Sequence, residues 1–303
     1  MTVRSGSGRG RRAGGALAVA VAAAAAGLLL AGCTSSAGGT PGGRGLPSPS
    51  IAAAPAAPAD ARTGLTGLPL AAYGSGDELV QQRFQALQLL IGRCMREAGY
   101  SSYTPADSFE APSGGGAGGA VAGAFGYLGA DAATAGFRSP RPAASAAGPA
   151  PRRQVPADER SASDDCTRRS LGRISSAAPK SSDLYQRLYG ESLQVTALDG
   201  RVVAATAAWR ECMGRVGVPA EDPQALARTY QGAGAEVSAQ ERTAAEADAR
   251  CTAETGLAGT WFAVLAGYQR EQVERHADEL EPLRQSLAEQ ARQYARILAN
   301  GGS

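Results

Sequence analysis

Six side chains in this 303-residue sequence are equipped to act as metal ligands, nucleophiles or attachment points: Cys33, Cys94, Cys166, Cys212, Cys251 and the single histidine, His276. Their spacing argues against a metal. No Cys-x-x-Cys pair exists, and one imidazole cannot complete the usual mixed zinc sets, so neither a metal nor another cofactor is expected. General-base chemistry is equally poorly served, because His276 sits between Arg275 and Ala277 in a highly charged helical stretch and reads as a partly exposed imidazole. Without histidine, hydrolysis would need paired carboxylates. Acids do cluster at Asp164 and Asp165 and at Asp278, Glu279 and Glu281, but their setting is that of solvated helix faces. No Walker loop, nucleophile elbow or His-Glu-x-x-His motif is present, and Gly114 to Gly119 has neither a preceding strand nor a following lysine to make a phosphate cradle. The chain is expected not to be an enzyme, with a carboxylate-dependent hydrolase as the weakest alternative.

Cys33 differs from the other cysteines in its context. Residues 1–12 are polar and basic, residues 13–31 are almost wholly Ala, Leu, Val and Gly, and the run ends in Leu30-Ala31-Gly32-Cys33. That is an export signal closing on a bacterial lipobox, where small residues precede the cut and the thiol takes a diacylglyceryl group. The freed amino group is then open to acylation, for instance by palmitate. Two chains at about 0.8 kcal/mol per buried CH₂ make a lasting anchor where one does not. The expectation is a signal peptide over 1–32, lipidation at Cys33 and location on the extracytoplasmic face of the cell membrane.

With Cys33 assigned to lipid, Cys94, Cys166, Cys212 and Cys251 remain, an even number that in an exported chain reads as two disulfides. Spacing alone leaves three connectivities. An internal repeat chooses among them. Cys94-Met95-x-x-x-Gly99 recurs as Cys212-Met213-x-x-x-Gly217, with Arg83, Phe84 and Ile91 aligned to Arg201, Val202 and Trp209. Each copy leads to a second, acid-preceded Cys-Thr pair, Cys166-Thr167 and Cys251-Thr252. The repeat suggests pairing within each copy, Cys94 with Cys166 and Cys212 with Cys251.

The elements that must position these residues are helical. Ser75-Gly-Asp-Glu78 fits a capping box, Val80, Phe84, Leu87, Ile91 and Cys94 follow at helical spacing, and Gly99 should end the helix. Ser238-Ala-Gln-Glu241 is a second box. Beyond it Val273, Leu280, Leu287 and Tyr294 recur every seven residues, joined by Leu283 and Ile297, in a seam of coiled-coil type that would permit self-association. Pro282 should break or kink that seam, or open a last helix after Glu281. Trp209 is expected to pack on the second disulfide. Trp261 and Phe262 are expected to close the core, with a ligand or partner groove between the copies, near Trp209, as the alternative.

Composition sets the limits. The 30 basic and 28 acidic residues become 26 and 28 once the four leader arginines are removed, which leaves no basic footprint for nucleic acid. Glycine (40) and proline (17) are abundant and aromatics are 5%, so only a modest core is available. The reading is a mainly α fold: a flexible tether over 33–74, then a disulfide-stapled helical domain over 75–303. Its two halves span 75–170 and 183–257, with low-complexity insertions at 112–124 and 139–162, and long C-terminal helices follow over 258–300. Phe125 to Phe137, between the insertions, is expected to dock on the core.

These stretches resemble a family of uncharacterised secreted lipoproteins of actinobacteria that carry paired Cys-Met-x-x-x-Gly motifs. The likeness rests on Arg93-Cys94-Met95 to Gly99-Tyr100, Trp209-Arg-Glu-Cys212-Met213 to Gly217, Ala247-Asp248 to Cys251-Thr-Ala-Glu-Thr-Gly256-Leu257, and Trp261-Phe262 to Tyr268-Gln269. It departs at Val218, where the family often has an aromatic, and it implies compartment, disulfides and helical fold but no activity. The expected role is therefore a non-catalytic interaction or accessory module at the cell envelope. It would meet the membrane through Cys33 and offer its C-terminal helices to an envelope protein or cell-wall component. A protein that binds small molecules or cell-wall fragments is the alternative.

Overall fold

The structure is a computed structural model that describes residues 46–104, 136–137, 155–174, 181–230 and 237–301. Among the described residues all regular structure is helical: α1 (Ala61–Thr66), a 3-10 turn (Pro69–Tyr73), α2 (Asp77–Glu97), α3 (Ala157–Ile174), α4 (Ser181–Leu198), α5 (Gly200–Arg215), α6 (Pro223–Tyr230), α7 (Ala239–Thr255), α8 (Leu257–Arg275) and α9 (Ala277–Ala299). None of these helices is long and apolar enough to cross a membrane.

Two disulfide-linked helical hairpins carry the repeat. Cys94 on α2 bonds Cys166 on α3, and Cys212 on α5 bonds Cys251 on α7, each with Cα atoms 5.6 Å apart. The pairing is the one that the repeat suggested. Both first helices end alike because the same residues recur there. Gly99 and Gly217 take positive φ (94° and 78°), which turns the chain so that Tyr100 N–H donates to Met95 O (2.9 Å) and Val218 N–H to Met213 O (3.0 Å). That is the Schellman ending, and a Cβ-bearing residue would strain it. Met95 and Met213 are fully buried beneath these turns. The hairpins differ inside. The first buries Ile91 where the second buries Trp209, whose indole N–H donates to Asp248 Oδ1 at 2.9 Å. The entry to α2 also departs from expectation: Gly76 is the N-cap, with no side-chain cap bond, while Asp77 and Glu78 place charge at the helix N-terminus. The second box forms as read, Ser238 Oγ accepting from Glu241 N–H at 3.0 Å.

Helices α8 and α9 make the spine. The first hairpin packs on α9, the second on α8, and α4 lies against both. The heptad seam is used here, within the chain. Leu280 packs with Leu70, Leu184 and Leu188, flanked by Val273, whereas Tyr294 packs with Ala86, Leu90 and Ile174, flanked by Ile297. The face on which self-association was expected is thus occupied by the chain's own helices, because a seven-residue repeat specifies a partner helix but not which chain supplies it. Pro282 does not mark the break either. The break falls at His276 (φ −118°, ψ 22°), and Pro282 lies exposed within α9, where the carbonyl left without an N–H belongs to Asp278 in the solvent-facing first turn.

Part of the expected tether is not a tether. Residues 46–74 form a strap across the spine, with Leu68 and Leu70 buried, Leu46, Ile51 and Leu65 half-buried against Trp261, Phe262 and Tyr268, and Leu70 N–H donating to buried Gln269 Oε1 at 3.1 Å. The correction has a steric basis. A side chain at Gly259 would collide with the Pro55 carbonyl, and one at Gly267 with the Pro49 ring, so these glycines cut notches in α8 that admit the strap's backbone and prolines. In return Gly64 of α1 leaves room for the Phe262 ring. Residues 33–45 of the expected tether lie outside the described residues.

Candidate functional site

The best-connected polar cluster sits where the strap crosses the α4–α5 corner. Asp199 is the N-cap of α5, its carboxylate nearly inaccessible to water. It accepts from Arg201 N–H (3.0 Å), from Arg201 Nε and Nη2 (2.8 Å each), from the Tyr268 hydroxyl (3.1 Å) and from Ser48 Oγ at the long distance of 3.4 Å. Arg201 then reaches the strap, donating from Nη1 to Pro49 O (2.7 Å) and from Nη2 to Ser48 Oγ (3.0 Å). The Arg201 hydrogen bonds hold the Asp199 carboxyl below the usual carboxylate range against the opposing effect of burial. Burial and the Asp199 charge push the Tyr268 phenol up, so the cluster is a fixed ion pair with a protonated phenol. Chemically it ties three chain segments together.

A cleft of about 260 Å³ opens nearby between α4 and α8. Leu188, Val195 and Leu198 form its apolar side with Leu46 of the strap, while Glu191, Arg275 and His276 stand around it. Buried in its wall is Gln272, 2% exposed, whose carboxamide nitrogen and oxygen both lack a hydrogen-bond partner. Arg275 is held by Glu271 at 2.7 Å, and His276 Nδ1 lies 2.7 Å from Glu279 Oε1. His276 is thus the junction between helices, half-exposed, rather than a residue within one.

The residues singled out from sequence are distributed as follows. Cys33, the insertion at 112–124 and residues 139–154 of the insertion at 139–162 lie outside the described residues, whereas residues 157–162, expected to be part of that insertion, open α3. Trp209 is fully buried in one cluster with Cys212, Cys251 and Leu257; Trp261 and Phe262, edge-to-face at 5.1 Å, are buried in another with Val264, Leu265 and Tyr268. They do not meet at a common groove, because α8 turns successive residues away from the second disulfide toward the strap. Phe137, at the end of the segment expected to dock, does dock: it stacks on Tyr230 at 5.4 Å, and its N–H donates to Glu241 Oε1 at 3.2 Å. Asp165 is exposed and paired with Arg168, and Glu281 with Arg284, as solvated faces should be. Among the described residues no cluster of three or more His, Cys, Asp and Glu is arranged to hold a metal ion. Sequence reasoning missed Asp199, Ser48 and Gln272, and took Arg201 only as a repeat position. One signal was available: Gln269 and Gln272, one helical turn apart on the face that carries Val264, Leu265 and Tyr268, are polar groups at core positions.

No family model matches the chain, and neither a curated protein nor a solved structure is significantly similar to it.

Proposed function

We propose that this protein is a non-catalytic accessory module, lipid-anchored through Cys33 on the extracytoplasmic face of the cell membrane, that docks a protein of the cell envelope. One observation carries the docking part. At the α4–α5 corner the large apolar side chains Leu198 and Val203 are 70% and 53% exposed, while the Asp199–Arg201 pair fixes the backbone between them. Large apolar groups on a corner braced by a buried ion pair supply what a recognition surface needs, a rigid hydrophobic anchor with little ordering cost. The anchoring part is supported by the lipobox at Leu30 to Cys33. The test is crosslinking in intact cells, gentle detergent extraction and mass spectrometry, run beside a Leu198→Asp, Val203→Asp double variant. Reproducible capture of one envelope protein by the native chain, and its loss from a folded double variant, is the expected result. Equal capture by both chains would remove the corner from the account.

A second reading, binding of a small molecule or cell-wall fragment, is favoured by the cleft between α4 and α8. It replaces the groove near Trp209 and Trp261, since those rings are buried apart from each other.

A further inference from the structure

We infer that the cleft between α4 and α8 is a binding site for a small neutral molecule carrying a secondary amide next to a small apolar group; this rests on the second reading above. Gln272 is the reason. Buried polar side chains are almost always paired, and an unpaired one lining a cleft marks where a partner belongs. Both ends of this carboxamide are buried and unpaired, Nε2 as donor and Oε1 as acceptor. A carboxylate ligand would satisfy Nε2 and oppose Oε1, and an ammonium would do the reverse. A secondary amide offers a carbonyl to one and an N–H to the other.

The surroundings fix the rest of the ligand's chemistry. Leu188 and Val195, buried in the wall of the same cleft, suit a methyl-sized substituent, such as an acetyl group or an alanine side chain. Arg275 and His276 are each already engaged by a glutamate of their own, so neither is spare to hold an anionic ligand. At about 260 Å³ the cleft is slightly smaller than typical small-molecule pockets and would enclose a single sugar ring or one amino-acid unit. Two sources share this chemistry, an N-acetylated sugar and a short peptide.

The experiment uses the full-length protein in detergent, with saturation-transfer NMR and thermal shift. The probes are N-acetylglucosamine, N-acetyl-alanine methylamide and, as the control without an amide, glucosamine. At least one amide probe should receive saturation and raise the melting temperature where glucosamine does neither, and whichever probe binds identifies the source. Gln272→Leu should weaken that binding by about tenfold or more while leaving the melting temperature unchanged or higher, because it deletes an unpaired buried amide. Gln194→Trp, on an exposed residue of the same cleft, should block binding without touching the core. Absence of binding by both amide probes at about 10 mM would overturn the site. Unchanged binding by the Gln272→Leu variant would overturn it too, as would a fall in its melting temperature, which would show that bound water satisfies the amide for structural reasons. Envelope-protein capture that persists without amide binding would leave the docking role standing and remove the ligand site alone.

Discussion

Replacing Asp199 by alanine tests how the strap is held. The change removes the N-cap acceptor of α5, worth about 1 kcal/mol. It also leaves the Tyr268 hydroxyl, on a side chain 1% exposed, without its carboxylate, at a cost of about 1–2 kcal/mol. Loss of the Arg201 ion pair is discounted to roughly 0.5–1 kcal/mol, because that guanidinium is a third exposed and water can take up its hydrogen bonds. The total is about 3 kcal/mol, which at a urea m-value near 2 kcal/mol/M lowers the unfolding midpoint by about 1.5 M. The effect should depend on pH with a definite sign. The folded carboxyl is held below its ordinary value of 3.8, so the unfolded chain takes up the proton first. Its contribution is complete above that ordinary value and is lost as pH falls through the lowered folded one. The gap between native and variant midpoints should therefore be constant near neutrality and shrink below about pH 4. In parallel, proteolysis between residues 46 and 60 should speed up in the variant, since Arg201 no longer has the carboxylate that aims it at Ser48 and Pro49. A loss below about 1 kcal/mol, or a strap as resistant as the native one, would refute the claim that this cluster is what fastens it.

Non-reducing peptide mapping should yield Cys94–Cys166 and Cys212–Cys251, and a Cys212→Ala, Cys251→Ala variant should lose about 4 kcal/mol by the loop-closure estimate for a separation of 39 residues; a crossed pattern would contradict the two-hairpin arrangement. Gly259→Ala should destabilise by about 1–3 kcal/mol although alanine is the better helix former, because its methyl meets the Pro55 carbonyl. A gain in chemical-denaturation stability would show that the strap moves aside freely. Trp209→Phe keeps an aromatic ring but removes the donor to Asp248 and leaves a small void, and urea unfolding should register a loss of about 2–3 kcal/mol. Cys33→Ser should abolish metabolic labelling with palmitate and release or stall the chain; unchanged labelling would sink the anchor assignment.

The disulfides and the hairpin ends were legible because the determinants are local and occur twice. Cys-Met-x-x-x-Gly names the bond, the buried sulfur and the left-handed stop within six residues. The strap was not legible, because Ala, Gly, Pro and Ser are the composition of a linker as much as of an extended segment lying in a groove. What distinguishes the two is the complementary surface, Gly259 and Gly267, two hundred residues further along the chain. The heptads correctly gave the apolar face of α9, yet period alone could not say that Leu70, Leu184 and Ala86 would cover it. The Asp199 cluster joins residue 48 to residue 268, and no window of sequence contains both. Gln272 was open to inspection as a polar residue on a buried face, but whether its amide is paired is a matter of packing.

The strap would also set the length of a leash running from the proposed anchor at Cys33. Were the helical domain to begin at Ser75, a chain anchored at Cys33 would have up to about 145 Å of fully extended polypeptide before it. With the backbone seated from Leu46 onward, the same anchor would allow at most about 45 Å. On the proposed anchor the domain would patrol only a shallow layer, and whatever it meets would have to project from the bilayer or come down to it. Leu46, the first described residue of the strap, is also a wall of the Gln272 cleft, so that wall lies only 13 residues along the chain from the proposed anchor at Cys33.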